Sequence, residues 1–309
     1  MIRGIFSIIF VTALCSLTIN TTLACSVCHC GDNAFLFSDR GFALPDHSVN
    51  HRYSFTLGNL YSSKSNVLAA DEGPGIERQR EFRPSARLSY NLLYNMAISL
   101  EAPFQYRRIV TSTFDGTSRE HSAGIGDAGI TAVYMRNLWD GIGQFFTGGL
   151  SLAVIIPTGN NNMHLAGERL DEHLQAGTGA VDWQVGGAAS RVTCASRYFA
   201  SLYYRHNGTN DFAYHYGNAG LFNFGGLWPI SDRIAGSLQI NSRYAGRDLD
   251  HGLVADDTGG WMAYLTPGFK LDLTEAMGIS MAVQLPVYRK LYGIQSEKAV
   301  FSSGISVAF

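Results

Sequence analysis

Over its last nine residues the chain alternates strictly between two registers. Phe301, Ser303, Ile305, Val307 and Phe309 occupy one, and Ser302, Gly304, Ser306 and Ala308 the other. Successive side chains of an extended strand point to opposite sides, so a period of two marks a strand whose faces meet different surroundings. Here one register is largely apolar, the other small and polar, and the strand ends on an aromatic residue. The pattern recurs upstream. Ile279, Met281, Val283, Leu285 and Val287 alternate with Ser280, Ala282, Gln284, Pro286 and Tyr288. Ile98, Leu100, Ala102 and Phe104 alternate with Ser99, Glu101, Pro103 and Gln105, and Leu238, Ile240 and Tyr244 with Ser237, Gln239, Asn241 and Arg243. The chain is therefore expected to be all-β. Alternation alone leaves open whether the apolar face meets a second sheet or lipid.

Spacing separates these two. Strands are expected near 51–61, 84–94, 97–107, 127–137, 145–156, 178–191, 196–206, 215–227, 233–245, 260–272, 277–289 and 299–309. The connections alternate in length. Those at 62–83, 108–126, 157–177, 207–214, 246–259 and 290–298 are long and rich in Gly, Asn, Asp and Ser, whereas those near 94–96, 138–143, 192–195, 228–232 and 274–276 are short. A soluble sandwich has no reason to keep that rhythm through successive hairpins. A transmembrane, antiparallel, up-and-down β-barrel is built with long outer loops and tight periplasmic turns. About 12 strands of about 11 residues would cross the roughly 25 Å apolar band when tilted, and an even count leaves both ends of the barrel in the periplasm. Aromatics near strand ends (Tyr94, Tyr106, Trp139, Trp228, Trp261 and Tyr288) suit the interfacial girdles.

Composition agrees. Charged residues make up 16% of the chain, against roughly 25% in soluble domains. No apolar run beyond residue 24 is long enough for a membrane helix. A net charge of −2 predicts no nucleic-acid partner. The start reads as a cleavable export signal: Arg3, an uncharged apolar stretch from Ile5 to Leu17, then Thr22-Leu23-Ala24 before Cys25. A lipoprotein signal would also place a Cys after the cleavage point, but Thr22 sits where that signal takes Leu. Three segments follow: a signal peptide over 1–24, a periplasmic Cys-containing segment over 25–50 placed to act as a plug, and an outer-membrane barrel over 51–309.

By Gly124-Ile-Gly-Asp127 opening a strand, the run 150–160 (Leu-Ser-Leu-Ala-Val-Ile-Ile-Pro-Thr-Gly-Asn), Leu174-Gln-Ala-Gly-Thr-Gly179 and Gln284-Leu-Pro-Val-Tyr288, the chain resembles the outer-membrane β-barrel transporter family named for the meta-pathway of phenol degradation. Pro267-Gly-Phe269 and Tyr292-Gly-Ile-Gln295 also stand in the family's order. The resemblance implies an outer-membrane channel, in some members associated with the breakdown of aromatic compounds, and supplies no catalytic residue.

Two groups of residues could carry chemistry. Glu101, Gln105, Arg107, Asp182, Gln184, Arg205, Gln239, Asn241, Arg243, Lys270 and Gln284 fall on polar registers of their strands. An Arg or Lys facing lipid at mid-depth costs about 2–4 kcal/mol, so these side chains are expected to point inward. There they form either the walls of a permeation path or a salt-bridged network that fills a narrow barrel. The second group is Cys25-Ser-Val-Cys28-His29-Cys30-Gly-Asp32 together with Cys194, which falls in an expected periplasmic turn. In the oxidising periplasm the default for close thiols is a disulfide, with Cys194 a candidate partner. No resident cofactor is expected. The alternative is a Cu(I) or Zn(II) ion held by the thiolates with His29 and Asp32; Cys25-Ser-Val-Cys28-His29 also fits a covalent haem signature.

Hydrolysis finds little support. His215-Tyr-Gly217-Asn218 is similar to the His-x-Ser-Asn motif of outer-membrane lipid A deacylases, but the nucleophile position is Gly217, which leaves the imidazole nothing to activate. His206 likewise lacks the Ser that outer-membrane phospholipases place two residues later. The stretch 160–173 mixes acids with two imidazoles and reads as a solvated outer loop. The expected function is passive passage of small, apolar or aromatic molecules through a polar lumen, with a lateral exit as a further route. The alternative is a non-conducting barrel that presents the Cys-rich motif to a periplasmic partner. Expected partners are outer-membrane lipids, the barrel assembly machinery acting on the C-terminal strand, and a small-molecule solute. Protein recovered from membranes should begin near Cys25; N-terminal sequencing checks this, and retention of residues 1–24 would refute the signal reading.

Overall fold

A strand in hydrocarbon has no water to satisfy its backbone, so every N–H and C=O must find a neighbouring strand. The computed structural model describes residues 52–67, 76–93, 95–113, 116–165, 167–256, 258–292 and 295–309. The expected signal peptide over 1–24 and the segment over 25–50 lie outside the described residues.

Fourteen strand segments, two pairs of which continue one another, make a closed antiparallel barrel of 12 strands. They are β1 (Tyr53–Val67), β2 (Ile76–Leu93), β3 (Met96–Thr113), β4 in an upper part (Gly116–Ile125) and a lower part (Ala128–Gly141), β5 (Gln144–Ile156) and β6 (Asp182–Thr193). They continue as β7 (Arg197–His206), β8 (Ala219–Pro229), β9 (Ile234–Ala245), β10 (Gly260–Asp272), β11 (Met277–Leu291) and β12 (Gln295–Glu297 and Val300–Ala308). Each pairs with its neighbours in sequence, and β1 pairs with both β2 and β12, which closes the ring. At the seam the Tyr53 amide donates to the Phe309 carbonyl and the Phe309 amide to the Tyr53 carbonyl, both at 2.9 Å.

The barrel is inside out relative to a soluble sheet. Leu100, Leu150, Leu202, Leu285 and Ile305 are exposed on the outer face, Leu150 at 66% and Leu202 at 62%. Their strand neighbours Glu101, Ser151, Ser201 and Gln284 are buried. An apolar surface continuous around the whole ring far exceeds the few hundred Å² that soluble monomers expose; it is the lipid-facing belt. The expected girdle residues Tyr106, Trp139, Trp228, Trp261 and Tyr288 are all exposed at the ends of that belt. Trp228 meets Tyr198 edge-on at 6.0 Å and Trp261 meets Tyr288 at 5.2 Å. Tyr94 lies outside the described residues.

The strands fall near where spacing predicts them, but β6 and β8 begin four residues later than expected, at Asp182 and Ala219, and β1 to β4 run longer. The connections expected over 62–83 and 108–126 are largely strand, because β1 to β4 continue well beyond the belt. Hydrogen-bond pairing sustains a hairpin above the membrane after the apolar alternation has stopped. In lower β4 to β9 the wall is shorter. Upper β4 pairs with β3 alone among the described residues, since pairing between lower β4 and β5 begins at Ala128 and Ile156. Leu100, at mid-depth, provides a test: Leu100→Arg should cost about 2–4 kcal/mol of folding stability in lipid, measured by denaturant titration in vesicles, whereas Leu100→Val should cost much less.

Candidate functional site

Charges that cannot face lipid are buried inside and paired. The Glu81 carboxylate accepts from Arg83 at 2.6 Å and from Arg107 at 3.3 Å. Arg87 and Glu101 are direct cross-strand partners and pair at 2.6 Å; Arg205 donates to Asp182 at 2.8 Å. Of the residues expected on polar registers, Glu101, Gln105, Arg107, Asp182, Gln184, Arg205, Gln239, Asn241, Arg243 and Gln284 are buried. Lys270 is half-buried near the periplasmic end, 3.1 Å from Asp272. Sequence reasoning missed Glu81 and Arg83 because it placed them in a loop. The signal was present in the alternation of Glu81, Phe82 and Arg83, the middle one exposed and its neighbours buried.

Apart from Arg243 of β9, the opposite wall is lined by neutral amides and hydroxyls. Asn241 Nδ2 donates to Asn223 Oδ1 at 2.8 Å and to Gln239 Oε1 at 3.4 Å, and the Thr266 hydroxyl donates to Asn241. Gln239 Nε2 and both side-chain polar atoms of Gln284 are buried without a hydrogen-bond partner among the described residues. A buried amide left unbonded costs about 1–3 kcal/mol, so this wall carries hydrogen-bonding capacity that its own side chains do not use.

Above the interior, three outer loops are tied together. The stretch 160–173, expected as a solvated outer loop, instead folds inward as part of a loop over 157–181. Asp171 caps a short 3-10 helix, Glu172–Leu174, and Leu170 and Leu174 pack on Ile109 of β3. Arg107 donates to the carbonyls of His173 and Gln175, the latter at 3.0 Å, and Gln105 donates to that of Ala176. The loop is anchored at the break in β4, where one Asp127 oxygen accepts from the Gly159 amide at 3.0 Å and the other from the amide and hydroxyl of Thr178 at 2.7 and 2.8 Å. A Cβ on Gly177 would lie 2.6 Å from Asp127 Oδ1, so only glycine lets the loop approach this closely.

The loop over 207–218 is joined to it by Tyr216, whose hydroxyl donates to the Glu172 carbonyl at 2.8 Å. Tyr214 donates to the Asp248 carboxylate of the loop over 246–259 at 2.8 Å, and Asp248 also accepts from the Gly217 amide at 2.7 Å. The His173 imidazole lies 3.4 Å from Asp248 and edge-on to both tyrosine rings. Burial, reinforced by Asp248, pushes the Tyr214 hydroxyl well above the usual phenol range, and burial with Glu172 beside it does the same for Tyr216. Both therefore remain protonated donors, as the lid requires.

The remaining candidates are placed as follows. Gly217 stands where a deacylase would carry its nucleophile, and a Cβ there would sit 2.1 Å from the Gly246 carbonyl oxygen, so a serine cannot fit without moving backbone. His206 and His215 stand 6.1 Å apart on the outer surface beside Trp183, and the ring of His215 contacts Thr209 at 3.4 Å. Cys194 is exposed in the turn between β6 and β7, its thiol donating to the Gly143 carbonyl at 3.2 Å. Cys25, Cys28, His29, Cys30 and Asp32 lie outside the described residues. Among the described residues no three His, Cys, Asp or Glu side chains are grouped to hold a metal ion.

No family model matches the sequence, and no curated protein matches it. Solved structures do match. An outer-membrane channel from Pseudomonas putida F1 is similar with a TM-score of 0.64 at 12% identity, over 85% of this chain and 97% of that one. The translocator domain of the autotransporter NalP from Neisseria meningitidis gives 0.47 at 10% identity, over 85% of this chain and 90% of that one. This chain is an outer-membrane β-barrel. At such identity the likeness speaks for the fold alone, and what passes through the barrel has to be argued from its own side chains.

Asp127→Ala removes three hydrogen bonds to the inward loop. It should expose residues 157–181 to added protease in intact vesicles, while the barrel keeps its heat-resistant migration on gels; unchanged protection would show that Asp127 does not hold the lid.

Proposed function

We propose that the protein is a passive outer-membrane channel for small uncharged molecules, apolar or aromatic solutes among them. The observation that carries this reading is the division of the buried interior. Arginines and carboxylates of β2, β3, β6 and β7 meet in the network of Glu81, Arg83 and Arg107 and in the pairs Arg87–Glu101 and Arg205–Asp182. Neutral groups left over among the described residues include the amides of Gln239 and Gln284 and the hydroxyls of Ser62, Ser237 and Ser302. A wall of neutralised charges gives an ion little reason to enter, whereas free amides and hydroxyls can replace the water a neutral solute sheds. The lid of three loops limits solute size at the outer mouth. The similar barrel from Pseudomonas putida F1 is described as an outer-membrane channel, which agrees with transport as the task.

Reconstituted in planar bilayers, the protein should give small conductance steps with little preference between K⁺ and Cl⁻, and vesicles carrying it should swell in small neutral solutes. Glu101→Gln leaves Arg87 without its carboxylate and should shift the conductance towards anions. A wild type that neither conducts nor admits any small solute would end this reading.

A further inference from the structure

The outward face of the long hairpins changes character abruptly where the belt ends. Register aligns three successive rows across β1, β2, β3 and upper β4. The lowest row is Tyr61, Phe82, Tyr106 and Ala123; the next is Ser63, Arg80, Arg108 and His121; the third is Ser65, Arg78, Val110 and Arg119. Tyr61, Phe82 and Tyr106 are exposed girdle residues. Arg78, Arg80, Arg108, Arg119 and His121 are exposed as well, on the same face. Rows two residues apart are separated by about 6.6 Å, and adjacent strands by about 4.8 Å. Four guanidinium groups and an imidazole therefore crowd a patch that begins one row beyond the aromatic side chains.

No described side chain neutralises this patch. No carboxylate belongs to either basic row, and Glu81 and Glu120 fall on the opposite register, where Glu81 is already engaged with Arg83 and Arg107. None of the five basic side chains has an ion-pair partner among the described residues. Arg80 and Arg108 stand directly opposite one another, an arrangement in which like charges destabilise a sheet unless an anion lies between them. Inside the barrel, by contrast, each of Arg83, Arg87, Arg107 and Arg205 has a carboxylate.

We propose that this patch binds the phosphate groups of lipopolysaccharide in the outer leaflet. Depth selects that source. A lipid whose acyl chains lie on Phe82 and Tyr106 carries its headgroup at the height of Arg80 and Arg108, and planar guanidinium groups bind phosphate oxygens through paired, charge-assisted hydrogen bonds. The lipid clamps β2, β3 and upper β4 together on the side of the barrel where upper β4 lacks a second strand partner.

The test compares the wild-type barrel with Arg80→Gln/Arg108→Gln and with Arg78→Gln/Arg119→Gln, all surface changes, each checked for heat-resistant gel migration. Binding is read by native mass spectrometry and by the rise in Tm with purified lipopolysaccharide, with the same lipopolysaccharide stripped of phosphate, and with inorganic phosphate. Wild type should bind the phosphorylated lipid and be stabilised by it. Each double variant should bind roughly tenfold more weakly or worse, since each lost charge-assisted bond is worth about that much. Equal binding of phosphorylated and stripped lipid, or equal binding by wild type and variants, overturns the proposal. So does stabilisation by inorganic phosphate as effective as that by the lipid.

Discussion

The structure depends on one constraint, that a backbone surrounded by hydrocarbon must complete its hydrogen bonds without water. For a sheet this demands closure, and the reciprocal bonds between Tyr53 and Phe309 are where the last strand meets the first. Once the ring is closed, one register of every strand is committed to lipid and the other to the interior. The arginines and carboxylates of β2, β3, β6 and β7 are then brought to one another, and the pairing of Arg87 with Glu101 and of Arg205 with Asp182 follows from closure as directly as the outward exposure of Leu100 and Leu202.

A second tier of organisation sits on the first. The break in β4 turns one strand into two segments and frees Asp127 from the ladder, so that its carboxylate serves loop residues instead. The loop held there carries Glu172 and His173 to the tyrosines of the next loop, which in turn reach Asp248 of the third. A lid built this way is rigid for the same reason the wall is: buried polar groups with assigned partners resist displacement. The motif pieces around Gly126-Asp127, Gly159 and Gly177-Thr178 lie up to 51 residues apart and meet at this one joint.

Much of the wall was legible beforehand. The alternation around Leu285 and Ile305, and the recurring short turns, required extended strands of a given face polarity, and those strands are present. The extensions of β1 to β4 were less visible because the signal there is not apolar alternation: Arg78, Arg80, Arg108 and Arg119 read as loop composition until a partner strand is known. The inward loop was hidden for a different reason. Its fold depends on Ile109, Arg107 and Asp127, contributed by two other strands, and nothing within 157–181 announces them.

The sequence by itself determined that this chain forms strands with one face for lipid, about how many there are and where the short turns fall, because those properties follow from side-chain period and local turn chemistry. Tertiary structure alone decided which charges neutralise one another, which loop enters the barrel and which amides stay unpaired. Those outcomes depend on register between strands distant in sequence, and register is set only when the ring closes.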